Sequence, residues 1–302
     1  MLLWLFVGWT AYLFGRLVPW TSLLLLPYWA WVTFAAALNL AIWLFLSGWA
    51  IVALAMAALW VLQRRTGDAG VVDLGWTAGL GFLALLYAAG LGEGLPARRW
   101  LVGFSAAIWS LRLSSYILFD RVLPQGEDAR YGTLRARWGS HVQARLFLFF
   151  QVQAFLAALL SIQFMLVMLH PAASLRVWDL AGLSIVLLSI AGESAADRQL
   201  RRFRRDPANR GRTCREGLWR YSRHPNYFFE WIFWLAWVVM AWGSPWWPAT
   251  WIAPSLMLFF VLRVTGIPPT EEQALKSRGE DYRRYQRETS AFFPWFPKRV
   301  RG

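Results

Sequence analysis

Charged side chains are scarce in this sequence, and a few of them stand inside long apolar runs. Asp73 interrupts Val71-Val72-Asp73-Leu74-Gly75-Trp76. A carboxylate in so apolar a setting is costly, which marks it as a candidate acid or carbonyl anchor. The same residue would also serve as a helix N-cap, accepting from exposed backbone N–H groups. Arg112 lies in Trp109-Ser110-Leu111-Arg112-Leu113-Ser114-Ser115-Tyr116. Its guanidinium stays charged, so it needs a buried anion or a snorkelling path to water. Arg112 and Tyr116 are four apart and share a helix face. Glu193 and Asp197 do likewise, with the arginines that follow them as the simplest partners. Gln151 and Gln153 are read as hydrogen-bonded cross-links between helices.

The densest polar segment runs from Asp197 to Tyr227 and includes Arg198, Arg201, Arg204, Asp206, Asn209, Arg210, Gly211 and Arg212. It continues through Gly217-Leu218-Trp219-Arg220-Tyr221-Ser222-Arg223-His224-Pro225-Asn226-Tyr227. Arginine forks bind phosphate in bidentate fashion, while Asp and Asn suit ribose hydroxyls and amides. Such a loop could hold a phosphorylated cofactor, or it could anchor lipid headgroups. It contains neither a GxGxxG fingerprint nor a P-loop. His141, His170 and His224 lack metal-ligand spacing. No GxSxG hydrolase elbow occurs. The single cysteine, Cys214, excludes a disulfide framework.

These residues must be positioned by membrane-spanning helices. The chain is 58% hydrophobic and 16% charged, against roughly 45–50% and 25% in soluble domains. Its 22 Trp and 21 Phe suit interfacial aromatic girdles. The net charge of +14 is the arithmetic of basic loops beside spans rather than of a nucleic-acid binder. Runs long enough to cross a bilayer occupy 21–42, 44–62, 74–91, 100–119, 147–169, 177–194, 226–243 and 247–266. The opening stretch to Phe14 is a ninth span or an interfacial helix, without the features of a signal peptide. The expected fold is therefore an all-α polytopic bundle of seven to nine spans. It forms one integral membrane domain, with N-terminal spans over 1–70 and a catalytic region over 71–302. Basic segments at Arg121–Arg145, Arg198–Arg223 and Lys276–Arg301 are separated by even numbers of spans. All three are expected on the cytoplasmic side, with Arg98 and Arg99 opposite them.

The segment Gly217 to Trp231 resembles the C-terminal region of steroid 5α-reductases, sterol reductases and isoprenylcysteine carboxyl methyltransferases. From about Asp73 onward, the chain resembles a bacterial family of uncharacterised membrane proteins grouped with the steroid 5α-reductases. The motifs that carry this are Val72–Trp76, Trp109–Leu113, Gly126–Tyr131, Glu193–Asp197, Glu271–Leu275 and Gly279–Tyr285. The resemblance implies an inner-membrane reductase that uses NADPH to reduce an α,β-unsaturated carbonyl lipid or steroid entering from the bilayer. Its implied cofactor residues are Glu193, Asp197, Arg204, Arg210, Arg212, Tyr221, His224, Asn226, Tyr227, Glu230, Arg263, Glu271 and Tyr282. Asp73 stands where the reductase glutamate is expected, and Trp109 where the carbonyl-polarising tyrosine is expected. An indole N–H donates a hydrogen bond but delivers no proton, so the acid is Asp73, Tyr116 or another tyrosine, and Arg112 joins the implied catalytic set. S-adenosylmethionine-dependent methyl transfer to a lipid or isoprenoid is the first alternative. A non-catalytic lipid-binding protein is the second.

Overall fold

Every regular element among the described residues is helical, because in hydrocarbon each backbone N–H and C=O must be satisfied within its own segment. The computed structural model describes residues 2–17, 21–125, 127 and 129–298. Met1, Gly126 and Asp128 of the Gly126–Tyr131 motif, and Arg299 and Arg301 of the basic tail lie outside the described residues. Helix α1 (Leu2–Leu17) packs on α2 (Thr21–Thr66). The spans expected at 21–42 and 44–62 are one helix of 46 residues. No charge falls between Leu23 and Leu62 to end it. The only glycine in that stretch, Gly48, serves close packing: a Cβ there would meet Leu83 Cδ2 at 2.6 Å.

After α3 (Val71–Gly90), α4 (Pro96–Ile117) runs into a π-helical turn at Leu118–Val122 and the short α5 (Leu123–Gln125). Helix α6 (Ala129–Trp138) leads into α7 (Val142–Met168), and α8 (Val177–Arg205) pairs closely with α9 (Pro225–Met240). Helix α10 (Ile252–Phe259) passes through a second π-helical turn, Phe260–Val264, into α11 (Ile267–Glu288), which kinks at Gly279 (φ 53°). Among the described residues six helices are long and apolar enough to cross a membrane, fewer than the seven to nine expected. Helix α9, expected as a span, has 16 residues and extends only about 24 Å.

The core is aromatic where α4, α7 and α9 meet. Trp109 stacks on Phe233 with centroids 4.1 Å apart, and Phe164, Trp234 and Trp237 close around them. At the end of the bundle that holds the α7–α8 loop, Arg98 and Asp179 form a fully buried pair at 2.9 Å. Arg98 also donates to the carbonyls of His170, Ala172 and Ser174. Its charge is thus neutralised within the bundle, which explains a cation on the face opposite the basic loops. Those loops share the other end. Arg201 pairs with Asp120 at 2.5 Å, Arg215 with Asp281 at 3.0 Å and Arg223 with Glu271 at 2.7 Å.

Candidate functional site

A cavity of about 580 Å³ opens among α3, α4, α6–α9 and the α10–α11 junction, within the range of small-molecule sites. Asp73 lines it from the first turn of α3. The cap position is Gly70, whose N–H bonds to Asp68 Oδ1 at 2.7 Å. Asp73 therefore is not the N-cap, and its Oδ1 accepts the Tyr131 hydroxyl at 2.8 Å. Tyr131, also in the wall, is held by its helix. One turn on, Arg135 grips both Glu127 oxygens at 2.8 Å and Gln63 at 2.9 Å, and Glu127 accepts from Ala69 N–H. Phe149 of α7 packs its ring against Tyr131 at 6.2 Å.

Glu193 and Asp197 reach the cavity from one face of α8. Their cationic partner is Arg112 of α4 rather than the arginines that follow them. Arg112 lies 2.6 Å from Glu193 Oε1, pairs closely with Asp197, and donates to Ser194 at 3.1 Å. Arg112 is thus held by buried anions and does not snorkel. Glu193 Oε2 and Asp197 Oδ1 are buried and have no hydrogen-bond partner among the described residues. Asn226 and Glu230, four apart on α9, add a carboxamide and a carboxylate to the same wall, with Tyr227 beside them. Tyr116 completes it on α4. The guanidiniums of Arg112, Arg121 and Arg201 lie 5.7, 5.8 and 5.9 Å from its ring, and Arg121 itself lines the cavity.

The remaining expected site residues lie elsewhere. Trp109 is fully buried in the aromatic core and does not form part of the cavity wall. His224 stacks on Tyr227 at 5.4 Å and meets Glu271 at 3.2 Å. Glu271 also accepts from Arg223 and Gln286. This network fastens α11 to the start of α9 behind the cavity. Burial holds the His224 imidazole below its usual pKa, against the pull of the Glu271 carboxylate. Tyr282 is buried under Arg278, whose guanidinium is 4.9 Å from its ring. Arg204, Arg210, Arg212, Tyr221 and Arg263 are exposed and outside the cavity wall. Among the described residues no three His, Cys, Asp or Glu side chains gather as a metal site.

Sequence reasoning gave Tyr131 and Gln153, among other members of the wall, no part in the site. Tyr131 was visible only as the end of the Gly126–Tyr131 motif, and its partner is 58 residues away. Gln153 was expected to cross-link helices. It lines the cavity instead, whereas Gln151 does bridge to the Ala53 carbonyl of α2 at 3.3 Å.

The profile of a family described as "Protein of unknown function (DUF1295)" matches residues 59–289. That of the TspO/MBR family matches residues 1–44, a similarity confined to α1 and the first part of α2. Comparison with curated proteins and with solved structures found no match.

Proposed function

The chain belongs to the DUF1295 family, and we propose that it is an NADPH-dependent membrane reductase of α,β-unsaturated carbonyl lipids. One observation carries this reading. The cavity joins an oriented carboxylate–tyrosine pair, Asp73 and Tyr131, to a wall with unpartnered acceptors, Glu193 Oε2 and Asp197 Oδ1. The donor set fits a nicotinamide nucleotide. The two carboxylate oxygens and Asn226 suit hydroxyl and carboxamide groups. Arg204, Arg210 and Arg212, which show no side-chain partner among the described residues, suit phosphates. NADPH, when bound, supplies the hydride.

The rest falls to the protein's own side chains. Hydride addition at the β-carbon leaves negative charge on the carbonyl oxygen of the lipid, and Tyr131 is the donor placed to hold it. Its one hydroxyl proton is given to Asp73 without ligand and turns to the carbonyl oxygen when one enters. Asp73 thereby positions the phenol. The apolar part of the wall, including Leu156, Leu160 and Met257, keeps water from that oxygen and so strengthens the hydrogen bond. A solvent proton completes the α-carbon.

One observation favours methyl transfer as a second reading. Asp73, Glu193, Asp197, Glu230 and Glu272 give the wall more carboxylates than Arg121 and Lys276 in it and Arg112 beside it offset, which suits a sulfonium. Titration of the nanodisc-embedded protein with NADPH, NADH and S-adenosylmethionine separates the two. NADPH should bind most tightly, and Asn226→Ala should weaken it about tenfold, or 1.4 kcal/mol. Preferential binding of S-adenosylmethionine would reverse the assignment, and binding of neither would defeat both.

A further inference from the structure

Helix α7 lines the cavity with a single stripe. Phe149, Gln153, Leu156 and Leu160 are spaced at i, i+4, i+7 and i+11, the period of one helix face. Three of the four are apolar, and the fourth is a carboxamide. An amide at that depth is costly unless its hydrogen-bonding groups are satisfied. Gln151, two residues earlier, meets that requirement on the opposite side through the Ala53 carbonyl. Gln153 makes no hydrogen bond to any described residue, so its two donors and one acceptor are presented to the cavity's contents.

Its place along the stripe says what it would meet. Phe149 packs on Tyr131, the donor assigned to the reacting carbonyl. Gln153 lies one turn further from the basic end of the bundle, about 6 Å along the helix axis. Leu156 and Leu160 continue the wall beyond it and offer only apolar contact. We infer that Gln153 is a specificity-determining residue that recognises a second oxygen on the lipid, about one helical turn from the reacting carbonyl. The inference rests on the enone-lipid reading of the cavity and narrows it. The ligand is an enone headgroup with a hydroxyl, keto or ether oxygen across it, followed by a hydrocarbon tail along Leu156 and Leu160. A side-chain amide suits all three oxygens because it carries both donors and an acceptor.

The test compares two probes, a dodecyl-substituted cyclohex-2-enone and its 4-hydroxy counterpart, by equilibrium dialysis against the full chain in nanodiscs. The wild-type protein should bind the hydroxylated probe about tenfold more tightly. Gln153→Leu, which keeps the side-chain bulk and is apolar, should bring that ratio to about one. Gln153→Asn, shorter but still an amide, should fall between, which separates lost recognition from lost folding. Equal affinities in the wild-type protein, or an unchanged ratio in Gln153→Leu, would overturn the role of Gln153 and leave the reductase reading standing. Failure of the wild-type protein to bind either probe would overturn both. A Gln153-dependent preference without NADPH-dependent reduction of the probes would uphold this inference and count against the reductase.

Discussion

At the scale of single residues, the proposed chemistry rests on a phenol and a carboxylate from helices distant in sequence. Tyr131→Phe removes one hydrogen-bond donor and little else. It is expected to lower kcat and kcat/KM together by roughly a hundredfold, as loss of an interaction made mainly in the transition state does. Asp73→Asn leaves an acceptor for the Tyr131 hydroxyl and removes only its charge, so its loss should be smaller. Both variants should bind NADPH as the wild-type protein does, because neither side chain is assigned to the nucleotide. NADPH oxidation over a panel of enone lipids is the measurement, and full turnover in Tyr131→Phe would remove the phenol from the mechanism.

At the scale of elements, α11 is the piece whose attachment responds to pH. Glu271, held within α11 by Gln286, fastens it to the loop before α9 by receiving Arg223 and His224. Tyr285 also donates to the Trp219 carbonyl. Because burial lowers the His224 pKa, the undocked segment takes up a proton before the docked one does. Docking is therefore complete above about pH 6.5, the ordinary histidine value. It weakens as pH falls from there toward the lower native value. Limited proteolysis within α11 should accelerate between pH 7.5 and 5.5, and His224→Gln should flatten that response. A rate independent of pH in the wild-type protein would remove His224 as the cause. The π-helical turns are a second feature of this scale. They interrupt α4 at Leu118–Val122 and follow α10 at Phe260–Val264, and both contribute cavity residues. Such local widening is frequent at functional sites.

At the scale of the whole molecule, the three basic segments occupy one end and are tied together by ion pairs. The positive-inside bias leads us to expect that end in the cytoplasm, the side from which the proposed NADPH would come. With Cys214 replaced by Ser, Arg202→Cys places a thiol on the exposed loop side of α8. A membrane-impermeant reagent should label it only from the cytoplasmic side, and labelling from the opposite face would invert the orientation.

Composition and apolar run length were enough to establish a helical membrane protein, because spanning a hydrocarbon slab demands long helices whatever their neighbours. The charged residues inside those runs were legible for the same reason: Asp73, Arg112, Glu193 and Asp197 are too costly there to be incidental. Their partners were not legible. Arg112 meets carboxylates more than eighty positions away, and local spacing pointed instead to the arginines beside them. Trp109 shows the same limit, since only the packing of α4 on α9 turns its indole into the core and away from the cavity. Whether α2 was one helix or two also lay beyond sequence, because an apolar run carries no mark of where it stops until another helix packs against part of it. The assembly of Asp73, Tyr131, Gln153 and the α8–α9 acceptors around one cavity was decided by tertiary structure alone. Periodicity fixes which face of a helix a side chain occupies, but only packing fixes what that face meets.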